Sequence, residues 1–321
     1  FNLNNPKEIS QEFIVQYPHF FDSKINFIER HNQLGKNKKK FFKINKKKFI
    51  KVFLNIMKKK NYSKFEILFG LHAAYEISKG KKINNKKIIF INTHIVDYTK
   101  KFVDFMNFKD LEIIYTIRDP LSALSSSIKN WLKYKEGKYF LYESLYFHFD
   151  LIFKGFEQLL SIKKKLFVIQ LEKLHKKNEK IMRSFCKLYG LKYETCLKKS
   201  TYHGLQWWGD KISGKYINGV NKNFKIKYEK NLFFDRDIIF LEHLAKHIIN
   251  YYGYTFSTDS RKNYYFNILP MKCELMVWKN ILKNKMFLHL ITIPYFYIKR
   301  LMFINTFFIR KVKFPHSIGV K

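Results

Sequence analysis

Residues 111–131 read LEIIYTIRDPLSALSSSIKNW. The first seven make a mostly apolar run of strand length, and Arg118 follows at the carboxyl end. Asp119 offers a side-chain oxygen to the free N–H groups that open a helix, and Pro120 has its φ preset for the first helical position. The strand-to-helix break therefore falls between Arg118 and Pro120. In open α/β sheets, ligands sit beyond the carboxyl ends of strands, near helix N-termini that favour anions. A guanidinium fork planted there suits a phosphate or a sulfate.

The predicted helix carries Leu121, Leu124, Ile128, Trp131 and Leu132 on one stripe, the face expected to pack on a sheet. Ser122 and Ser126 share a different face, one turn apart. Serine is a poor helix former and adds no packing, so the consecutive serines 125–127 call for a reason. Ser125 and Ser127 read as solvated. Arg118 with Ser126 reads as an anion site.

Other stretches extend the pattern. Strands are expected at about 87–92 and 166–171, with helical segments between them and residues 111–117. Such alternation predicts a parallel sheet with helices on both faces. Ser63 and Glu66 form a capping-box pair at the start of a helix over 63–77, with Phe65, Leu68, Phe69, Ala73 and Ile77 as its apolar face. The first 62 residues, lysine-rich and patchily aromatic, read as a solvated helix-and-loop region.

Arg118 followed eight positions later by Ser126, on a strand-turn-helix, resembles the 3′-phosphate-binding motif of the sulfotransferases that use 3′-phosphoadenosine-5′-phosphosulfate. Residues 86–95, KKIIFINTHI, are similar to that family's strand ending in Lys-Thr-His. Residues 166–174, LFVIQLEKL, look like its strand ending in Tyr-Glu-Asp-Leu. The helix expected at 179–191 resembles the usual successor, and residues 241–254 resemble the closing helix with its terminal Gly-Tyr. These pieces come in family order and cover about two-fifths of the chain.

The resemblance implies a P-loop NTPase-like sulfotransferase architecture, a parallel sheet flanked by helices over residues 1–254, with a helical, basic-aromatic extension over 255–321. It implies transfer of a sulfuryl group from 3′-phosphoadenosine-5′-phosphosulfate, as co-substrate and without a metal, to a hydroxyl or amine of a carbohydrate or glycolipid acceptor. Arg118 and Ser126 would hold the 3′-phosphate, and His94 would be the general base. Asp97 is an alternative base. Tyr202 would supply a contact to the nucleotide. Two departures stand out: Asn92 occupies the place of the family's lysine, and nothing near Phe1 resembles the Pro-x-Ser-Gly-Thr loop that cradles the 5′-phosphosulfate. The sequence is therefore expected to be a fragment lacking that loop and the first strand, and inactive as it stands.

Composition constrains the rest. The formal net charge is +37, which suggests nucleic acid, yet only seven of the 62 basic residues are arginine. Abundant Lys, Asn, Ile, Phe and Tyr, all with A- and T-rich codons, produce such a profile without functional pressure. The excess reads as solvated surface with general attraction to acidic partners, and specific nucleic-acid binding is not expected. A basic polyanion-binding or membrane-surface protein without catalysis is the alternative to the enzyme. Cys186, Cys196 and Cys273 form no CxxC pair, which argues against a disulfide framework or structural zinc and suits a reducing, cytoplasmic compartment.

Two motifs are misleading. Residues 209–216, GDKISGKY, fit a phosphate loop except that Tyr216 stands where Ser or Thr must reach Mg²⁺. His243 and His247 are four apart, but Leu244 replaces a catalytic glutamate and no third ligand is evident. Residues 286–298 carry no formal charge and are too short to span a bilayer, where about twenty residues are needed. They suit a helix lying on an anionic membrane surface, peripheral to the inner membrane, or a helix docked on the domain.

Overall fold

The break expected between Arg118 and Pro120 is where the chain turns from strand to helix. In the computed structural model of the protein, Asp119 Oδ1 accepts the Ser122 N–H at 2.7 Å and Pro120 is the first helical residue. The structure describes residues 4–25, 27–58, 61–83, 88–93, 95–108, 110–138, 140–162, 164–211, 216, 219–221, 224–257 and 269–307. The helices are α1 (Pro6–Gln16), α2 (Pro18–Phe21), α3 (Lys46–Ile56), α4 (Lys64–Ser78), α5 (Val96–Met106), α6 (Pro120–Lys133), α7 (Tyr142–Phe153) and α8 (Gly155–Leu160). They continue with α9 (Leu171–Lys176), α10 (Asn178–Leu188), α11 (Asp235–Leu244), α12 (Lys246–Tyr252), α13 (Lys272–Lys283) and α14 (Thr292–Phe307). The strands are β1 (Glu112–Ile117), β2 (Lys165–Gln170), β3 (Thr201–Tyr202) and β4 (Leu205–Gln206).

The chain folds into two units. The first comprises Phe1–His94, Lys101–Phe108 and Lys199–Gly219, and the second Ile95–Lys100, Lys109–Lys198 and Val220–Lys321.

In the first unit α3 packs against α1 and α4. Phe49, Phe53, Met57, Ile67 and Ala74 share one core with Ile9, Phe21 and Ile44. The Ser63–Glu66 capping box forms in full and opens α4. Gly70 on α4 permits close approach: a Cβ there would sit 3.0 Å from Met57 Sδ and 3.2 Å from Phe53 Cε2. Strands β3 and β4 make a small antiparallel hairpin through His203 and Gly204. Both turn residues have positive φ, 54° and 75°, the geometry a two-residue hairpin loop demands. His203 tolerates it because its ring stacks on Phe42 at 3.7 Å and its Nε2 pairs with Tyr75 Oη at 2.8 Å.

The second unit is mixed α/β: β1 and β2 pair in parallel, Ile117 opposite Gln170, with helices on both faces. Ile117 and Val168 face Leu121, Leu124 and Ile128 of α6, the stripe anticipated from 3.6-residue spacing, with Trp131 and Leu132 at its margin. Phe167, Ile169 and Ile114 face Ile181 and Phe185 of α10. Successive residues of a strand point to opposite faces, so these short strands serve two helical layers.

Three expectations need correction. Residues 88–92 form no strand, and Phe90 and Ile91 are exposed; an apolar run becomes a strand only where a neighbouring backbone completes its hydrogen bonds. The helix expected at 241–254 is broken at Ala245 between α11 and α12, then ends at Gly253 with φ 68°. That break falls between His243 and His247. Ser125, read as solvated, is buried, and its Oγ accepts the Glu229 N–H at 2.8 Å. Among the described residues no helix is long and apolar enough to cross a membrane.

Candidate functional site

The carboxyl ends of β1 and β2 meet side by side because the strands are parallel and in register. Arg118 leaves β1 there, and Glu172 lies on the first turn of α9 just beyond β2. Glu172 is buried and used at both oxygens. Its Oε1 accepts the Asp119 N–H at 2.8 Å, and its Oε2 accepts Tyr254 Oη–H at 3.0 Å. Next to it Gln170 Nε2 donates to the Tyr252 carbonyl at 2.7 Å, so the last residue of α12 and Tyr254 just beyond it are each tied to the strand ends.

Arg118 is half-buried. Its Nη2 donates to Ser122 Oγ at 2.9 Å, and Ser122 Oγ donates onward to the Lys227 carbonyl at 2.9 Å. Its Nε is buried with no hydrogen-bond partner. An orphaned guanidinium N–H is costly without an acceptor, and an anion would supply one. Burial lowers the pKa of Arg118, while the carboxylates of Glu172 and Asp119 work in the opposite direction. Burial pushes the Asp119 carboxyl up to about 6, reinforced by Glu172 and Glu242 and opposed by the Ser122 N–H and Arg118.

An aromatic side flanks the cation. The guanidinium carbon lies 5.7 Å from the centre of the Phe224 ring, and His175 stacks on the same ring at 4.7 Å. His175 Nδ1 accepts the Asn221 N–H at 3.2 Å, which leaves the proton of the neutral imidazole on Nε2. Burial lowers its pKa, opposed by Glu172, with Arg118 lowering it further.

The sequence-predicted residues fare unequally. Arg118 stands where the spacing put it. Its hydroxyl partner is Ser122 rather than Ser126, which is half-buried one turn further along the same helix. Tyr202 belongs to the first unit, whereas Arg118 and Ser126 belong to the second. Its ring stacks on His31 at 3.9 Å and tilts against Phe42, and its buried hydroxyl has no partner. His94 and residues 212–215 of the 209–216 stretch lie outside the described residues. Tyr216 is described and receives Lys38 Nζ at 3.3 Å from its ring centre. Reading the sequence missed the structural part played by Glu172, Tyr254 and His175. Glu172 and Tyr254 did fall in stretches singled out by resemblance, the available signal for them.

Among the described residues no group of three or more His, Cys, Asp or Glu side chains is placed to hold a metal ion. No family model, curated protein or solved structure matches the chain.

Proposed function

We propose that the strand-end cluster around Arg118 binds the 3′-phosphate of 3′-phosphoadenosine-5′-phosphosulfate, and that the protein serves sulfuryl transfer from that donor to a carbohydrate or glycolipid acceptor. One observation carries the reading. Three stretches that resemble sulfotransferase motifs in the family's order converge in space, since Glu172 bonds to the Asp119 amide and to the Tyr254 hydroxyl. The parallel β1–β2 pair with its helical crossover supports a P-loop NTPase-like architecture around it.

In this reading Arg118 and the Ser122–Ser126 face of α6 hold the phosphate. The orphaned Nε of Arg118 gains an acceptor, and the α6 N-terminus adds its positive end. The bound donor supplies an activated sulfuryl group. The chain's own task is positioning and charge stabilisation, with His94 as the proposed base toward the acceptor hydroxyl.

The test is a thermal shift with adenosine 3′,5′-bisphosphate against adenosine 5′-phosphate. The bisphosphate is expected to raise the Tm and the monophosphate to do far less, with Arg118→Ala abolishing the difference. Equal stabilisation by both nucleotides would overturn the proposal.

A second reading, a polyanion-binding protein, is favoured by one feature of the first unit. A cavity of about 570 Å³ is lined by Lys36, Lys39, Lys40 and Lys199 with Thr201 and Gln206. Binding there would fall steeply with salt and ignore the 3′-phosphate.

A further inference from the structure

Helix α14 is largely apolar, and over residues 292–302 it has both a buried and an exposed face. Its inner face is docked: Phe296 stacks on Tyr142 and Tyr146 at 6.0 and 5.5 Å, and Arg300, fully buried, puts Nε 3.0 Å from Glu274 Oε1 of α13. The outer face carries Tyr295, Ile298 and Met302, with Leu288 and Ile291 in the turn before them. Steps of three and four residues keep the three helical side chains within one narrow stripe, and the two turn residues precede it. These five side chains are exposed, from 56% at Ile298 to 83% at Leu288.

Scattered exposed apolar residues are ordinary, but a continuous stripe of large ones marks a surface meant to be covered. Its surroundings indicate by what. Lys279, Lys283, Lys285 and Lys299 are exposed on the same C-terminal elements, and no Asp or Glu follows Glu274 in the sequence. An aromatic-aliphatic stripe on elements that carry four exposed lysines complements a surface that is apolar beneath and anionic on top.

We propose that the outer face of α14 is a peripheral binding surface for anionic phospholipid bilayers. The helix lies in the plane of the interface with Leu288, Ile291, Tyr295, Ile298 and Met302 among the acyl chains. Arg300–Glu274 and the Phe296 stack hold it to the protein from behind. Insertion stays shallow because no described helix can cross the bilayer. This surface is independent of the nucleotide reading.

The test is flotation of the full chain with phosphatidylcholine vesicles and with vesicles containing a third phosphatidylglycerol. Binding is expected only to the anionic vesicles and to weaken with salt. An Ile291→Glu/Ile298→Glu variant is expected to lose tenfold or more in partitioning, roughly what two inserted apolar side chains contribute. Lys299→Gln is expected to lose roughly fivefold. Both isoleucines are exposed, so an unchanged Tm shows that the variant folds; should it not, Leu288→Glu is the substitute. The proposal is overturned if the wild type fails to float with anionic vesicles or if the double variant floats as well as wild type. It is equally overturned if sedimentation shows a lipid-indifferent dimer that the double variant dissolves, because the face would then belong to a second copy.

Discussion

The backbone N–H of Asp119 donates to Glu172 Oε1 over 2.8 Å, joining the residue after one parallel strand to the first turn after the other. The same carboxylate takes the Tyr254 hydroxyl at 3.0 Å, so one buried side chain gathers three distant parts of the sequence. Glu172→Ala would strand two buried donors, at a cost of about 3 kcal/mol. Tyr254→Phe removes one bond to a charged acceptor and should cost about 1–2 kcal/mol. In urea denaturation the double variant should fall short of the sum by about 1 kcal/mol, as expected of directly bonded partners. Strict additivity would mean that the bond contributes nothing.

Asp119 caps α6 while being buried, and these roles pull in opposite directions. The cap favours the carboxylate through the Ser122 N–H, while burial pushes its pKa up to about 6. A carboxyl whose folded pKa exceeds its unfolded one binds protons more tightly when folded. Its contribution to stability therefore declines as pH rises from about 4 to 6. Asn keeps a capping oxygen without the charge, so Asp119→Asn should lie within about 0.5 kcal/mol of wild type at pH 7, or above it, while Asp119→Ala should lose about 1–2 kcal/mol. An Asn variant as unstable as the Ala variant would show that the charge itself matters.

The first unit should weaken in mild acid. His31 and His203 lie in aromatic stacks, and burial pulls them down to about 4 and about 3. His19 pulls His31 further down; Lys79, Lys81 and His31 add to the effect on His203, while Glu76 opposes it. Between about pH 6.5 and 4 the unfolded chain takes up protons that the folded chain refuses. Stability is thus complete above pH 6.5 and is lost progressively below it. His203→Asn keeps a residue tolerant of positive φ and removes one titration, so it should flatten the profile between pH 5 and 7. A wild-type urea midpoint that stays level across that window would refute this account.

Legibility followed the range of the interaction. Local rules found the Asp119 cap, the α6 stripe and the Ser63–Glu66 box because each is settled within one or two turns. The choice of Ser122 over Ser126 was not legible: the two share a face, and only the path of the Arg118 side chain and the Lys227 carbonyl separates them. Residues 88–92 look like strand by composition, but pairing is supplied by other parts of the chain. The return of residues 199–219 to the N-terminal unit was equally hidden. It depends on Trp208 Nε1 donating to the Gly35 carbonyl and on Arg30 reaching the carbonyls of Trp208 and Asp210.

The buried pair at Arg300 and Glu274 gives the sharpest prediction about how the C-terminal helices are held. Both side chains are fully buried. Glu274 also accepts the Tyr146 hydroxyl and the Met271 N–H, the latter at 2.7 Å, and Arg300 Nη2 donates to the Leu269 carbonyl at 3.2 Å. The Arg300 Nε–H points off the line of a hydrogen bond, so the contact at 3.0 Å is chiefly electrostatic. Arg300→Met leaves a carboxylate buried without its cation and should cost about 3–5 kcal/mol at pH 7. Burial already raises the Glu274 pKa, and Arg300 opposes that rise, so its removal lets the folded state take a proton more readily. The deficit should therefore shrink as pH falls toward 5, because a raised folded pKa favours the native state in acid. Adding Glu274→Gln to Arg300→Met keeps an acceptor oxygen for the Met271 N–H, turns an N–H toward the Tyr146 hydroxyl, which can accept it, and removes the stranded charge, so the double variant should regain most of the loss. A single variant within about 1 kcal/mol of wild type, or a double variant no better than the single, would mean that packing alone holds α14 in place.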